Sequence, residues 1–192
     1  MNTDEIIKKL EETGAILEGH FLLTSGKHSN KYIEKFRVLE NPETLDLVCN
    51  EMARLFETKG AEIVLSAAIG GILLCGGVGR HLNLKHIFAE RIDGKLCLRR
   101  GFYLPKGVKV LIVEDIVTTG GSIIELIDLC NEYETEIIGI CSLVDRSLSK
   151  TDFKYDYKSL LELPIESWNE DDMPDWLKQI PITSPGRSGK KK

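Results

Sequence analysis

The chain has 192 residues, of which 42% are apolar and 29% charged. Such a chain fits one domain of ordinary size that buries its core without disulfides or a structural metal, and wholesale disorder is excluded. A formal net charge of −5 disfavours non-specific nucleic-acid binding, and no apolar run approaches the roughly 20 residues of a membrane-spanning helix.

The charge is uneven. Residues 184–192, SPGRSGKKK, hold four cations and no acid, so residues 1–183 carry 21 basic against 30 acidic side chains. We read residues 1–183 as one domain and residues 184–192 as a solvated, disordered basic tail rather than a nucleic-acid arm. The start, MNTDEIIKKLEE, has no apolar signal core, so a cytoplasmic protein without membrane or nucleic-acid partners is expected. Cys49, Cys75, Cys97, Cys130 and Cys141 are odd in number and no two are spaced C-x-x-C. Reduced, mostly buried thiols are therefore expected. The four histidines form no ligand cluster in the sequence.

Residues 4–13 predict an amphipathic helix with Ile6, Ile7 and Leu10 on one face. A polar stretch, HFLLTSGKHSNKY, runs from His20 to Tyr32. Asn41-Pro42 opens a second helix with Leu45, Val48, Met52 and Leu55 inward, and Gly60 ends it. Ile63-Val64-Leu65 reads as a buried strand running into the small-residue loop Ser66 to Gly71, and a helix follows to about Leu82. His86 to Ala89 is a further strand, before a hairpin-like region around Asp93-Gly94. Lys109 to Val113 is a strongly apolar strand ending in two acids. A Thr/Gly turn, a helix over about 122–133 and a strand over 137–144 complete the regular part. The rest, to residue 183, reads as a mostly loop-like cap.

Strands alternating with helices of ten to fifteen residues predict an α/β fold with a parallel central sheet flanked by helices. The continuous apolar strands suit a sheet covered on both faces. We expect a small hood from about residues 1–40 and 150–183. In such sheets ligands bind beyond the carboxyl ends of the strands.

The most informative segment is Val110 to Ser122, VLIVEDIVTTGGS. Glycines allow close backbone approach to a ligand. Free amides at a helix start, with hydroxyls beside them, make a nest for a phosphate dianion. Two carboxylates on that same nest would repel a phosphate, but one step away they can accept hydrogen bonds from sugar hydroxyls. Acid pair plus nest therefore reads as a sugar-phosphate cradle. A glycine turn alone would fit a generic strand–turn–helix. Neither a Walker P-loop nor G-x-G-x-x-G is present.

This segment resembles the phosphoribosyl-pyrophosphate motif of the type I phosphoribosyltransferases. Three further segments are similar to those of orotate phosphoribosyltransferases of the short-loop bacterial and archaeal branch. HFLLTSGKHSNKY resembles their N-terminal segment, AERIDGKLCLRRGF (Ala89 to Phe102) their short mobile catalytic loop, and LVDRS (Leu143 to Ser147) a strand end carrying an arginine. The resemblance covers about residues 4–165. It implies the type I phosphoribosyltransferase fold and magnesium-dependent transfer of ribose 5-phosphate from phosphoribosyl pyrophosphate to orotate, in pyrimidine nucleotide synthesis. It further implies that Glu114 and Asp115 hold the ribose hydroxyls, directly or through magnesium-bound water, with the magnesium held mainly by substrate.

In the same reading Ile116, Val117, Thr118, Thr119, Gly120, Gly121 and Ser122 cradle the donor, with its 5′-phosphate on residues 118–122. Ala67 to Gly71 stands as the pyrophosphate loop, with Ala68, Ile69 and Gly70 as contacts and Ala68-Ile69 as a candidate cis peptide. Thr118, Arg146 and Lys27 fall at the orotate site. Arg146 is read as the partner of the orotate carboxylate, a pairing to which a planar guanidinium is suited; its alternative is a surface pair with Asp145. Arg91, Lys95, Arg99 and Arg100 are the candidate catalytic cations of a loop that closes over pyrophosphate. That loop reaches the partner subunit's site in the family, so a homodimer is implied.

Many family members carry lysine where Thr24 and Gly70 stand, and Arg91 and Arg100 are expected to compensate. A regulator of the same fold would lack the loop cations and show a broad basic face. A purine enzyme would have no carboxylate for Arg146 to meet. Arg91→Ala and Lys95→Ala should each lower turnover at least about tenfold, while the urea unfolding free energy moves by no more than about 0.5 kcal/mol. Steady-state kinetics beside equilibrium denaturation checks this.

Overall fold

The structure, a computed structural model, describes residues 3–23, 25–148 and 151–183. Thr24 and the basic tail lie outside them. In chain order the elements are α1 (Thr3–Glu12), β1 (Ile16–Leu22), β2 (His28–Ile33), α2 (Lys35–Glu40), α3 (Pro42–Arg54), β3 (Ile63–Ala67) and α4 (Gly71–Leu82). β4 (Lys85–Ile92), β5 (Lys95–Leu98), β6 (Lys109–Val117), α5 (Gly121–Glu132), β7 (Glu136–Asp145), β8 (Tyr157–Glu162), α6 (Asp175–Lys178) and β9 (Ile182–Thr183) follow.

Six strands form the central sheet in the order β5-β4-β3-β6-β7-β8. All neighbours are parallel except the β4–β5 hairpin. From β3 the chain winds outward to β4 on one side and then returns to β6 on the other. The carboxyl ends of β3 and β6 therefore flank the point where the strand order reverses, which is where open α/β sheets bind ligands.

Alternation along the strands splits the core in two. Val110 and Ile112 of β6 pack with Ile123, Leu126 and Leu129 of α5 on one face. Leu111 and Val113 pack with Val48 and Met52 of α3 and Leu74 and Val78 of α4 on the other. The Asn41 side chain caps α3 by accepting from the Thr44 amide at 2.9 Å, with Pro42 at the first helical position, as the sequence predicts. The Asp93-Gly94 turn has φ of 48° and 85°, the left-handed pair that a tight hairpin requires.

One strand runs further than its apolar run, and another forms where no strand was expected. β6 continues through Glu114 and Asp115 to Val117, pairing Glu114 with Ser142 of β7. Tyr157–Glu162, expected in the hood, is instead the edge strand β8 of the central sheet, parallel to β7. Its sequence YKSLLE is half-buried, with Leu161 alone fully covered, so no continuous apolar signal marks it.

The polar stretch around SGKHS is a β-hairpin. β1 and β2 pair antiparallel, and β9 adds parallel to β1. Two buried histidines fasten this smaller sheet. His20 Nε2 lies 2.7 Å from His28 Nδ1, and His20 Nδ1 lies 2.9 Å from the Ile180 carbonyl. Among the described residues no helix is long and apolar enough to cross a membrane.

Gly139 of β7 is set by packing: a Cβ there would stand 2.1 Å from a ring carbon of buried Phe56. Gly139→Ala should destabilise the fold by about 1–3 kcal/mol, read as a lower urea midpoint with unchanged slope.

Candidate active site

β6 carries Glu114 and Asp115 to the carboxyl edge of the sheet, both buried. The Asp115 amide donates to Glu114 Oε1 at 2.9 Å, and the Ile116 amide to Asp115 Oδ1 at 2.6 Å. Asp115 Oδ2 meets the Lys35 ammonium at 2.5 Å. Glu114 Oε2 is buried with no hydrogen-bond partner, an orphan acceptor of the kind that marks a ligand position. Burial pushes the Glu114 carboxyl up, to about 8, and the neighbouring Asp115 charge pushes the same way.

Beyond Val117 the chain turns through Thr118, Thr119 and Gly120 into α5. Gly120 has φ 78°, and a Cβ there would stand 2.7 Å from the Phe153 ring. Glycine is thus required twice, by conformation and by space. The first turn of α5 presents amides that have no partner inside the helix. Glu114, residues 116–123 and Glu125 line a cavity of about 250 Å³ around it. A phosphate dianion suits this nest.

A second cavity, of about 1050 Å³, lies between the hairpin sheet and the body. Lys27, Tyr32, Lys35 and Phe36 line one wall, and Thr118, Thr119 and Arg146 the other. The two cavities share Ile116, Thr118 and Thr119. The Arg146 amide donates to the Val117 carbonyl at 2.9 Å, while its side-chain Nε is buried without a partner. Burial pulls the guanidinium below its ordinary value. Asp145 does not pair with it: its carboxylate accepts from Ser147 and Tyr157 instead.

The loop after β3 lies beside the acid pair. The Ala68-Ile69 peptide is cis, the candidate the sequence named. The Ala68 amide donates to the Ala89 carbonyl at 2.8 Å. A Cβ on Gly70 would fall 1.6 Å from Asp115 Oδ2 and 2.7 Å from Lys35 Nζ.

The structure therefore brings Glu114, Asp115, residues 116–122, Ala68 to Gly70, Lys27 and Arg146 to one region. Arg91, Lys95, Arg99 and Arg100 border neither cavity. Arg91 pairs with Glu125 at 2.6 Å, and Arg100 grips both oxygens of Glu90 at 2.9 and 3.0 Å. Within this chain the cation on the acid pair is Lys35, which the sequence does not single out. Lys35, Tyr32 and Phe36 reach the site only because the hairpin folds over the body, and no local pattern in KYIEKF announces it.

Comparisons with known proteins agree with this geometry. A family model described as "Phosphoribosyl transferase domain" matches residues 81–174. An orotate phosphoribosyltransferase of Caldicellulosiruptor bescii is 44% identical over 186 residues, covering 97% of this chain and 98% of that protein. One from Thermotoga maritima is 44% identical over 182 residues, covering 95% and 97%. This chain belongs to the orotate phosphoribosyltransferase family. The fold agrees with a solved orotate phosphoribosyltransferase from Aeropyrum pernix, with a TM-score of 0.69 at 23% identity over 82% of this chain and 93% of that one.

The site also bears on a divalent metal. Among the described residues no group of three or more His, Cys, Asp or Glu could hold an ion by itself. The orphan Oε2 of Glu114 beside Asp115 fits a hard cation that arrives on phosphate oxygens and needs one or two carboxylates from the protein.

The raised Glu114 carboxyl makes stability depend on pH. Between its ordinary 4.5 and about 8, the folded state holds a proton that the unfolded state has released, so stability falls as pH rises through that window. Glu114→Gln should remove this slope and exceed the parent by about 1–3 kcal/mol at pH 9. Urea denaturation at pH 5 and pH 9 measures it; a difference between the two proteins that stays flat contradicts the raised value.

Proposed function

We propose that this chain is an orotate phosphoribosyltransferase, moving ribose 5-phosphate from phosphoribosyl pyrophosphate to orotate in pyrimidine nucleotide synthesis. The observation that carries this reading is the junction at Thr118–Thr119, where a phosphate-sized nest opens into a larger cavity lined by cations and aromatic rings. The donor's 5′-phosphate sits on residues 118–122, its ribose hydroxyls on Glu114 and Asp115, and its pyrophosphate along Ala68 to Gly70. Orotate lies in the larger cavity with its carboxylate on Arg146, near Lys27 and Thr118. The unpartnered, buried Nε of Arg146 supports this, because a buried donor without an acceptor is costly and a planar carboxylate satisfies it.

A ring nitrogen of orotate attacks the anomeric carbon as the bond to the pyrophosphate oxygen breaks, and pyrophosphate leaves with the bonding pair. Positive charge grows on the sugar, beside the Glu114–Asp115 pair. Glu114 and Asp115 would hold a magnesium ion that arrives mainly on the substrate, and the ion would supply charge neutralisation for the departing group. Thr118 and the α5 amides hold the phosphate still, so that the sugar stays aligned between attacking and leaving atoms.

Arg91, Lys95, Arg99 and Arg100 act across the interface of a homodimer in this reading. Support comes from their absence from the lining of both cavities of their own chain and from the exposed Ile69, Leu73 and Tyr103. The free buried thiols suit a reducing cytoplasm. The test is loss of orotate absorbance on mixing the protein with magnesium, phosphoribosyl pyrophosphate and orotate, with hypoxanthine, adenine and uracil as competing bases. Turnover with orotate alone is expected, and turnover with a purine instead overturns the reading. Arg146→Ala should raise the orotate KM about 10- to 100-fold and leave the donor KM within about twofold.

A further inference from the structure

Lys35 belongs to no motif, yet three separate segments converge on it. Its ammonium reaches from the first turn of α2, in the hairpin layer, to Asp115 at the end of β6, above the bare backbone of Gly70. The side chain of Lys35 is 28% exposed and that of Asp115 7%, so the ammonium stands at the mouth and the carboxylate behind it. Asp115 Oδ1 already accepts from the Ile116 amide. Oδ2 is the oxygen left for a hydroxyl, and Lys35 occupies it. A polyol that reaches Asp115 therefore competes with Lys35 for that oxygen, past an ammonium that stands at the mouth.

We infer that Lys35 is an exchange cation: it sits on Asp115 in the empty site and moves to the diphosphate of the donor when the sugar takes Asp115. This rests on the donor placement proposed above. Lysine suits the task, being a point charge on a flexible stem with three donors that can swing between acceptors. The displaced ammonium has an anion within reach, because Gly70 carries no side chain between it and the loop where the diphosphate lies. A Cβ there would stand 2.7 Å from Nζ. Arg91 and Arg100 are held by Glu125 and Glu90, acids outside the sugar position, so occupancy of Asp115 does not free them. Lys35 is tied to a substrate-binding acid, and its release is coupled to donor binding.

The test titrates inorganic pyrophosphate and, without orotate, phosphoribosyl pyrophosphate into the protein with magnesium, by calorimetry. Lys35→Met should weaken both about 10- to 100-fold, and Lys35→Arg should restore most of the loss. In turnover, Lys35→Met should raise the donor KM and move the orotate KM less than about twofold. In an Asp115→Asn background the Lys35→Met loss in pyrophosphate affinity should persist, since the cation contacts the diphosphate itself. A loss that vanishes there, or unchanged affinity in Lys35→Met, overturns the inference and makes Lys35 a fixed counter-ion. If the parent protein turns over no orotate, the proposed function fails, and the pyrophosphate titration still decides the role of Lys35.

Discussion

The structure depends on keeping two adjacent carboxylates at the end of a buried strand, one step from a pocket built for an anion. Unpaired charges in such a place are expensive. The fold meets this in two ways. Burial holds Glu114 toward its protonated form, and Asp115 carries an ammonium on one oxygen and a backbone amide on the other. The central position of β6, between β3 and β7 with helices on both faces, sets Asp115 against Gly70 of the β3 loop and Glu114 in the lining of the phosphate nest. Moving β6 by one residue would exchange the two faces of the sheet and take each acid from its present neighbours.

Much of this was legible in the amino-acid sequence. The apolar runs at Ile63 and Val110, the Asn41-Pro42 helix start and the VLIVEDIVTTGGS segment each combine a local pattern with a physical reason, and all appear where expected. What was not legible depends on long-range packing. β8 is an edge strand whose YKSLLE carries too little apolar signal. The SGKHS hairpin is polar because it is covered on one side only. Lys35 acquires its meaning from Asp115, 80 residues away, and nothing within its own helix points there.

The β4–β5 hairpin illustrates a different limit. Two of its cations have partners on the same chain: Glu125 on α5 for Arg91 and Glu90 on β4 for Arg100. Exposed pairs of this kind contribute little to stability and are readily exchanged for a phosphate. Glu125 lines the phosphate nest itself, so the acid that holds Arg91 also carries negative charge to the rim of the anion pocket.

The hairpin sheet is closed by the last strand of the described chain. β9 joins β1 across roughly the whole sequence, and the His20 ring reaches the Ile180 carbonyl over 160 residues. During synthesis the β1–β2 hairpin is made well before β9 and stays without its third strand until β9 follows. The phosphate nest, by contrast, draws on residues close together in the chain. The anion pocket can thus assemble while the roof above it is still open, and the wall bearing Lys27, Tyr32 and Lys35 is secured only once β9 has been made.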